Sequence, residues 1–172
     1  MLEFYLGGAR SGKSRCAEAR AISLSQRRTY IATATAGDPE MAARIAHHQT
    51  QRAGDGWRTV DAPEALTEAL SREAQEGGVI LVDCLTLWLS NWVCKEDSAQ
   101  WQVVREAFLA ALQGLPGDVV LVSNEVGCGI VPMGELSRRF VDEAGRLHQQ
   151  IANIADRVVL VTAGIEQVLK GK

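Results

Sequence analysis

The sequence predicts a three-layer α/β fold, a mainly parallel sheet with helices on both faces. Three observations lead there. Apolar runs of strand length recur along the chain: "LEFYL" (2–6), "TYIAT" (29–33), "VILVD" (79–83), "DVVLV" (118–122) and "RVVLVT" (157–162). These runs are apolar at nearly every position instead of alternating, as strands covered on both faces are. Amphipathic segments of helical length separate most of them, the pattern of βαβ units.

The elements follow in order. The first strand runs straight into "GGARSGKS" (7–14), after which "RCAEARAISL" begins a helix. The second strand precedes "GDPEMAARIAHHQTQR", a helix with Asp38 as N-cap and Pro39 at the first helical position, where a missing N–H costs nothing. "WRTVDA" (57–62) adds a short strand or a turn, and "VILVD" leads to a helix starting near "CLTLWL". "DSAQWQVVREAFLAALQG" offers Ser98 as N-cap and Gly114 as a stop. No repeat, low-complexity tract or linker interrupts the 172 residues, which make one domain of ordinary size.

Hydrophobic residues at 47% and charged residues at 23% describe a globular chain with a real core. A net charge of −3, with no Lys/Arg run beyond two, argues against a nucleic-acid groove or a polybasic membrane patch. No apolar stretch reaches the ~18–20 residues of a membrane span. The start lacks the basic and apolar regions of a secretory leader, so the expected location is the cytoplasm. Cys16, Cys84, Cys94 and Cys128 form no CxxC pair and no zinc spacing, and in a reducing compartment they read as small buried hydrophobes.

Gly7, Gly12, Lys13 and Ser14 satisfy G-x-x-x-x-G-K-[ST]. Glycines let the backbone curl so that the amides of the intervening Gly8, Ala9, Arg10 and Ser11 point at an anion, and the following helix adds its positive end. Lys13 reaches the β- and γ-phosphates and the Ser14 hydroxyl binds Mg²⁺. A glycine turn with a chance Lys-Ser would match in roughly 1% of chains this long, judged from average composition. Here the match also lies between a strand and a helix. The expectation is a P-loop NTPase domain, RecA-like, that binds a nucleoside triphosphate.

Asp83, ending "VILVD", is the candidate second Mg²⁺ ligand; the alternative is an N-cap for the next helix. An N-K-x-D guanine-reading motif is missing, and "SNEVG" (123–127) has Glu125 where its Lys would stand. The residues alone leave open a small-molecule kinase, a nucleotidyltransferase, or a non-catalytic module switched by nucleotide.

Two of the three histidines are adjacent in "MAARIAHHQTQR". At 100° per residue, Met41, Ala42, Ile45 and Ala46 share a face, His48 lies at its edge, and His47 points to the polar side. His47 is therefore either solvated or, since neutral imidazole attacks phosphorus, a nucleophile.

In these stretches the chain resembles the bifunctional adenosylcobinamide kinase / adenosylcobinamide-phosphate guanylyltransferase family of cobalamin biosynthesis. The resemblance is carried by "GGARSGKSRCAEA" (7–19), "YIATA" (30–34), "DPEMAARIAHHQTQR" (38–52), "WRTVDAP" (57–63), "ILVDCLTLWLSN" (80–91) and "VSNEVGCGIVPMGELSRRFVDEAGRLHQQIA" (122–152), in order over nearly the whole length. It implies two reactions on one fold. Adenosylcobinamide is phosphorylated from GTP or ATP with Mg²⁺; then a histidine takes GMP from GTP and passes it to the new phosphate. The family's guanylylated histidine falls on His47. Nucleotide contacts fall on Ala32, Thr33, Ala34, His48, Gln49, Thr50, Gln51, Asp61 and Asp83. Family members often carry Glu at the last two, one methylene longer. Thr33 alternatively just ends a strand, and Asp61 caps a helix beginning near Pro63.

The resemblance also implies a homo-oligomer, a trimer. For His47 to reach the phosphates the helix 39–52 must approach the loop, so it is expected to move on GTP binding about Gly37, Gly54 and Gly56. "NEVGCGIVP" leaves the end of a strand, where open α/β sheets bind ligands. Asn124 and Glu125 are thus candidates for a substrate loop; the alternative is a tight connection needing its glycines. Trp88 and Trp92 share a helix face, as core or interface residues rather than a corrinoid platform. His148 stands where the family usually has Asn, and Glu166 near a usual Pro.

Overall fold

The structure is a computed structural model that describes residues 1–35, 56–95 and 98–171. Seven strands form one sheet: β1 (Leu2–Gly7), β2 (Arg27–Ala32), β3 (Trp57–Asp61), β4 (Gly78–Asp83), β5 (Asp118–Asn124), β6 (Arg157–Thr162) and β7 (Ile165–Lys170). Their order is β3-β2-β4-β5-β1-β6-β7. All neighbours are parallel except β6 and β7. The described helices are α1 (Lys13–Leu24), α2 (Leu66–Glu73), α3 (Leu85–Val93), α4 (Ser98–Leu112) and α5 (Glu135–Ile154).

The two faces divide by strand parity, because successive side chains point to opposite sides of a strand. Leu2, Phe4, Ile80, Val82, Val119 and Leu121 face α2 to α5 and meet Leu66, Leu70, Trp88, Trp101, Phe108, Leu147 and Ile151. Tyr5, Val79, Leu81, Val120, Val122 and Val161 face α1, where Ala17 and Ala21 let the helix lie close. The three-layer arrangement expected from the apolar strands is the one found. A carboxylate is buried between β1 and α1. Glu3, with no exposed surface, takes a two-pronged hydrogen bond from the Arg20 guanidinium at 2.7–3.1 Å, a geometry that offsets the desolvation of the carboxylate. Burial, with Glu3 beside it, pushes the Tyr5 hydroxyl well above its ordinary pKa.

Several local expectations change. "WRTVDA" is a true strand, β3, paired with β2. The tail forms the antiparallel edge strand β7, entered by a two-residue turn in which Ala163 and Gly164 both have positive φ. Alanine is uncommon there, so the hairpin signal was faint. The helix expected near Pro63 starts at Leu66 with Ala65 as N-cap, leaving Asp61 as the exposed last residue of β3. Cys84, not Asp83, occupies the N-cap of α3.

Trp88 and Trp92 are core: Trp88 is fully buried, 4.7 Å from Phe108 and 5.2 Å from Trp101 between ring centres. Buried inside the protein, they offer no corrinoid platform. Among the cysteines only Cys84 is buried; Cys16 is half-buried, and Cys94 and Cys128 are exposed, one closing α3 and one in the loop after β5. All four are free thiols. Among the described residues no helix is long and apolar enough to cross a membrane.

Candidate nucleotide site

Parallel strands put their C-terminal ends on one edge, where α/β sheets bind ligands. Here β1 ends in Gly7, β5 in Asn124 and β4 in Asp83, with β5 between the other two. Gly7 lies level with Asn124, and Asp83 level with Val122. At ~4.8 Å per strand, the β1 and β4 ends stand about 10 Å apart.

The loop after β1 has a shape that only small residues permit. A Cβ on Gly7 would lie 2.4 Å from Ser11 Oγ and 2.5 Å from the Val161 carbonyl oxygen. Gly12 has φ +94°, and an added Cβ there would meet Gly164 Cα at 3.1 Å, so β-carbons are excluded by both backbone and neighbour. The turn between β6 and β7 braces the loop from behind: the Gly164 N–H donates to the Ser11 carbonyl at 2.7 Å. α1 starts immediately after Gly12, which brings no capping side chain, and the Lys13 N–H donates to Ser11 Oγ at 3.4 Å; the amides at a helix start are an anion site. Lys13, 7% exposed, folds back so that its amine donates to the Gly8 carbonyl at 3.2 Å. Gly8, Ala9 and Arg10 are exposed along the rim, and Ser14 is half-buried in the first turn of α1.

On the other side of β5, Asp83 is half-buried and its carbonyl accepts a hydrogen bond from the Tyr30 hydroxyl at 3.4 Å. Thr33, fully buried, donates to the Cys84 carbonyl at 2.6 Å and accepts the Cys84 N–H at 2.9 Å. Its hydroxyl thus ties the end of β2 to the corner where β4 becomes α3. Ala32 is buried at the end of β2, with Ala34 half-buried just beyond.

Between the two, β5 opens into the glycine loop. The Glu125 N–H donates to the Gly7 carbonyl at 3.0 Å, joining this loop to the phosphate loop. The Glu125 carboxylate accepts the amides of Gly127 (2.7 Å) and Cys128 (3.0 Å). Burial raises the Glu125 pKa, but those amides outweigh it and hold the carboxyl below its ordinary value. Asn124 N–H donates to Thr86 Oγ1 at 2.7 Å; Thr86 Oγ1 is 3.1 Å from Ser123 Oγ, which is 2.8 Å from His148 Nε2. Burial pulls His148 down to about 4, with Glu125 opposing.

Residues 4–169 match the family model described as cobinamide kinase / cobinamide phosphate guanyltransferase. The chain belongs to this family. It is 52% identical over 172 residues to "Bifunctional adenosylcobalamin biosynthesis protein CobP" of Pseudomonas aeruginosa, covering 100% of this chain and 99% of the relative. It is 42% identical to the protein CobU of Escherichia coli, with the same bifunctional description, over 99% of this chain and 100% of that one. Among solved structures it is similar to a prototypical ATPase of a type III secretion system (TM-score 0.58, 8% identity), covering 97% of this chain and 56% of that one. It is also similar to the RadB recombinase (TM-score 0.53, 12% identity), covering 92% of this chain and 73% of that one. At those identities the likeness speaks to the fold alone: the RecA-like P-loop class expected from the sequence.

For this cobinamide kinase family member, the residues singled out in sequence fall into three groups. Gly7 to Ser14, Asp83, Asn124 and Glu125 share one edge of the sheet. Ala32 and Asp61 end the next strands along that edge. His47, His48, Gln49, Thr50 and Gln51, with Gly37, Asp38, Pro39 and Gly54 around them, lie outside the described residues; Gly56, the remaining hinge candidate, is exposed with φ +71°. Thr86, Ser123 and His148 were not anticipated in sequence as partners. Only the change from apolar to polar at Ser123, where an apolar strand ends, hinted at them.

Proposed function

We propose that the chain carries both family activities on this nucleotide site. The support is the phosphate loop: a cradle closed to β-carbons at Gly7 and Gly12, with Lys13 folded into it. In the first step the acceptor hydroxyl of adenosylcobinamide attacks the γ-phosphorus of GTP or ATP. The bond to the bridging oxygen breaks, the nucleoside diphosphate leaves with the electron pair, and the hydroxyl proton is released. The loop amides and Lys13 hold the phosphates as charge moves to the leaving group. Glu125, kept ionised by its two amides, is a weak base. Its role is to orient the acceptor, which suffices for a loose phosphoryl-transfer transition state.

Ser14 and Asp83 would hold Mg²⁺. A hydroxyl and one carboxylate are hard oxygen donors, and among the described residues no cluster of three His, Cys, Asp or Glu side chains forms a separate metal site. That donor set suits an ion that keeps its waters and shares phosphate oxygens. When bound, Mg²⁺ neutralises phosphate charge.

In the second step a His47 nitrogen attacks the α-phosphorus of GTP and pyrophosphate leaves. A cobinamide-phosphate oxygen then attacks that phosphorus, the P–N bond breaks, and GMP passes to the acceptor. The role of His47 rests on the resemblance, as do nucleotide contacts from Ala32, Thr33, Ala34, His48 to Gln51 and Asp61, a trimeric assembly and a cytoplasmic location. The test uses GTP labelled at the α- or γ-phosphate, with Mg²⁺, followed by denaturation. Acid-labile, base-stable protein label arises from the α position alone and vanishes in His47→Asn. Transfer of γ-phosphate to cobinamide with no trapped α label would leave a kinase only.

A further inference from the structure

The facing sides of β5 and α5 are apolar until the strand nears its end. Val119 and Leu121 fill that face of β5, but the next position on it is Ser123, 1% exposed. A hydroxyl buried at the end of an apolar strand face needs partners, and it has two from different elements. His148 Nε2 of α5 lies 2.8 Å from Ser123 Oγ, and Thr86 Oγ1 of α3 lies 3.1 Å from it. Thr86 in turn accepts the Asn124 N–H at 2.7 Å.

Thr86 accepts from the Asn124 amide, and the row closes with a neutral His148 in either sense. With the ring proton on Nδ1, Thr86 gives its proton to Ser123 and Ser123 gives its own to Nε2; with it on Nε2 the row runs the other way and the Thr86 proton turns to Cys84. The ring is packed against Phe4, 5.6 Å between centres. One residue on, the Glu125 N–H is fixed to the Gly7 carbonyl at 3.0 Å. The Asn124–Glu125 backbone is thus pinned on one side by the row ending in His148, and on the other by the phosphate loop.

We propose that His148, acting through Ser123 and Thr86 on the Asn124 amide, is a positioning residue that sets the acceptor-side loop against the phosphate loop. This rests on the reading of Asn124 and Glu125 as the acceptor side of the site. His148 touches no reacting atom; it is the terminal partner of a row that aligns the strand end between the phosphate loop and Asp83.

The test measures phosphoryl transfer from GTP to cobinamide, with thermal melts of each variant as a folding check. In His148→Leu and in Ser123→Ala the cobinamide KM rises about tenfold, while the GTP KM changes less than twofold. The double variant is no worse than either single one, because both break the same row. His148→Gln, whose side-chain oxygen is a neutral acceptor at the same reach, restores the KM to within threefold. If His148→Leu does not fold, Thr86→Val breaks the row from its other end and carries the same expectation. An unchanged cobinamide KM, an equal rise in the GTP KM, or no recovery with His148→Gln overturns the proposal. Asn124→Ala and Glu125→Gln separate the two premises. If they leave the cobinamide KM unchanged, the acceptor-side reading falls and the proposal with it; if they raise it while His148→Leu does not, the coupling alone falls.

Discussion

Replacing Lys13 with methionine separates what the residue does for the reaction from what it does for the fold. In the free protein Lys13 as a whole residue is 7% exposed, and among the described residues its ammonium group donates one hydrogen bond, to the Gly8 carbonyl at 3.2 Å. One neutral acceptor is modest compensation for the cost of a charge partly withdrawn from water. Methionine keeps the unbranched stem and its packing while removing that cost. Lys13→Met therefore leaves stability unchanged or raises it by about 1 kcal/mol, a Tm increase of roughly 2–4 °C at this chain length. With nucleotide bound the sign reverses. A donor aimed at charge that develops in the transition state is worth ~10²–10³ in rate, or about 3–4 kcal/mol. Thermal or urea unfolding of the ligand-free protein gives the first quantity, and steady-state phosphoryl transfer to cobinamide gives the second. A variant destabilised by more than about 1 kcal/mol, or one that keeps transfer within tenfold of the parent, would refute the reasoning.

Two further predictions concern the supports of the site. Thr33→Val preserves volume but strips the Cys84 N–H of its acceptor at 2.9 Å, leaving a buried donor unpaired; urea unfolding should show a loss of about 2 kcal/mol. For His148, burial holds the folded-state pKa at about 4 against 6.5 for the free side chain. The unfolded chain then binds its proton first, so stability is intact above about pH 6.5 and falls as pH drops toward 4. The loss reaches about 3 kcal/mol. Unfolding curves measured against pH for the parent and for His148→Gln check this, since only the parent should show that slope; parallel slopes would refute it.

How much could be read from residue order depends on how far apart the cooperating groups lie. The phosphate loop is legible because its parts span eight consecutive positions, Gly7 to Ser14, and its shape is dictated within them. The inner strands are legible because a strand buried on both faces must be apolar throughout. β7 was not, because its six residues are all exposed and carry no such constraint. The helix starts near Pro63 and Asp83 shifted by one to three residues, since a good capping side chain marks a boundary only where the backbone turns to meet it.

What the sequence determined by itself is the chemistry available: a loop that must hold phosphates, a carboxylate at a strand end, a histidine pair, and a family whose substrates follow. What only the tertiary structure decided is which groups meet. Ser123 and His148 are 25 residues apart, Thr86 and Ser123 are 37 apart, and Thr33 and Cys84 are 51 apart. Their pairing follows from the strand order that places β2 beside β4 and β5 between β4 and β1, and lays α5 against the end of β5, an order set by packing both faces of one sheet. Periodicity along a chain records which side of an element is buried; it carries no record of the neighbour that buries it.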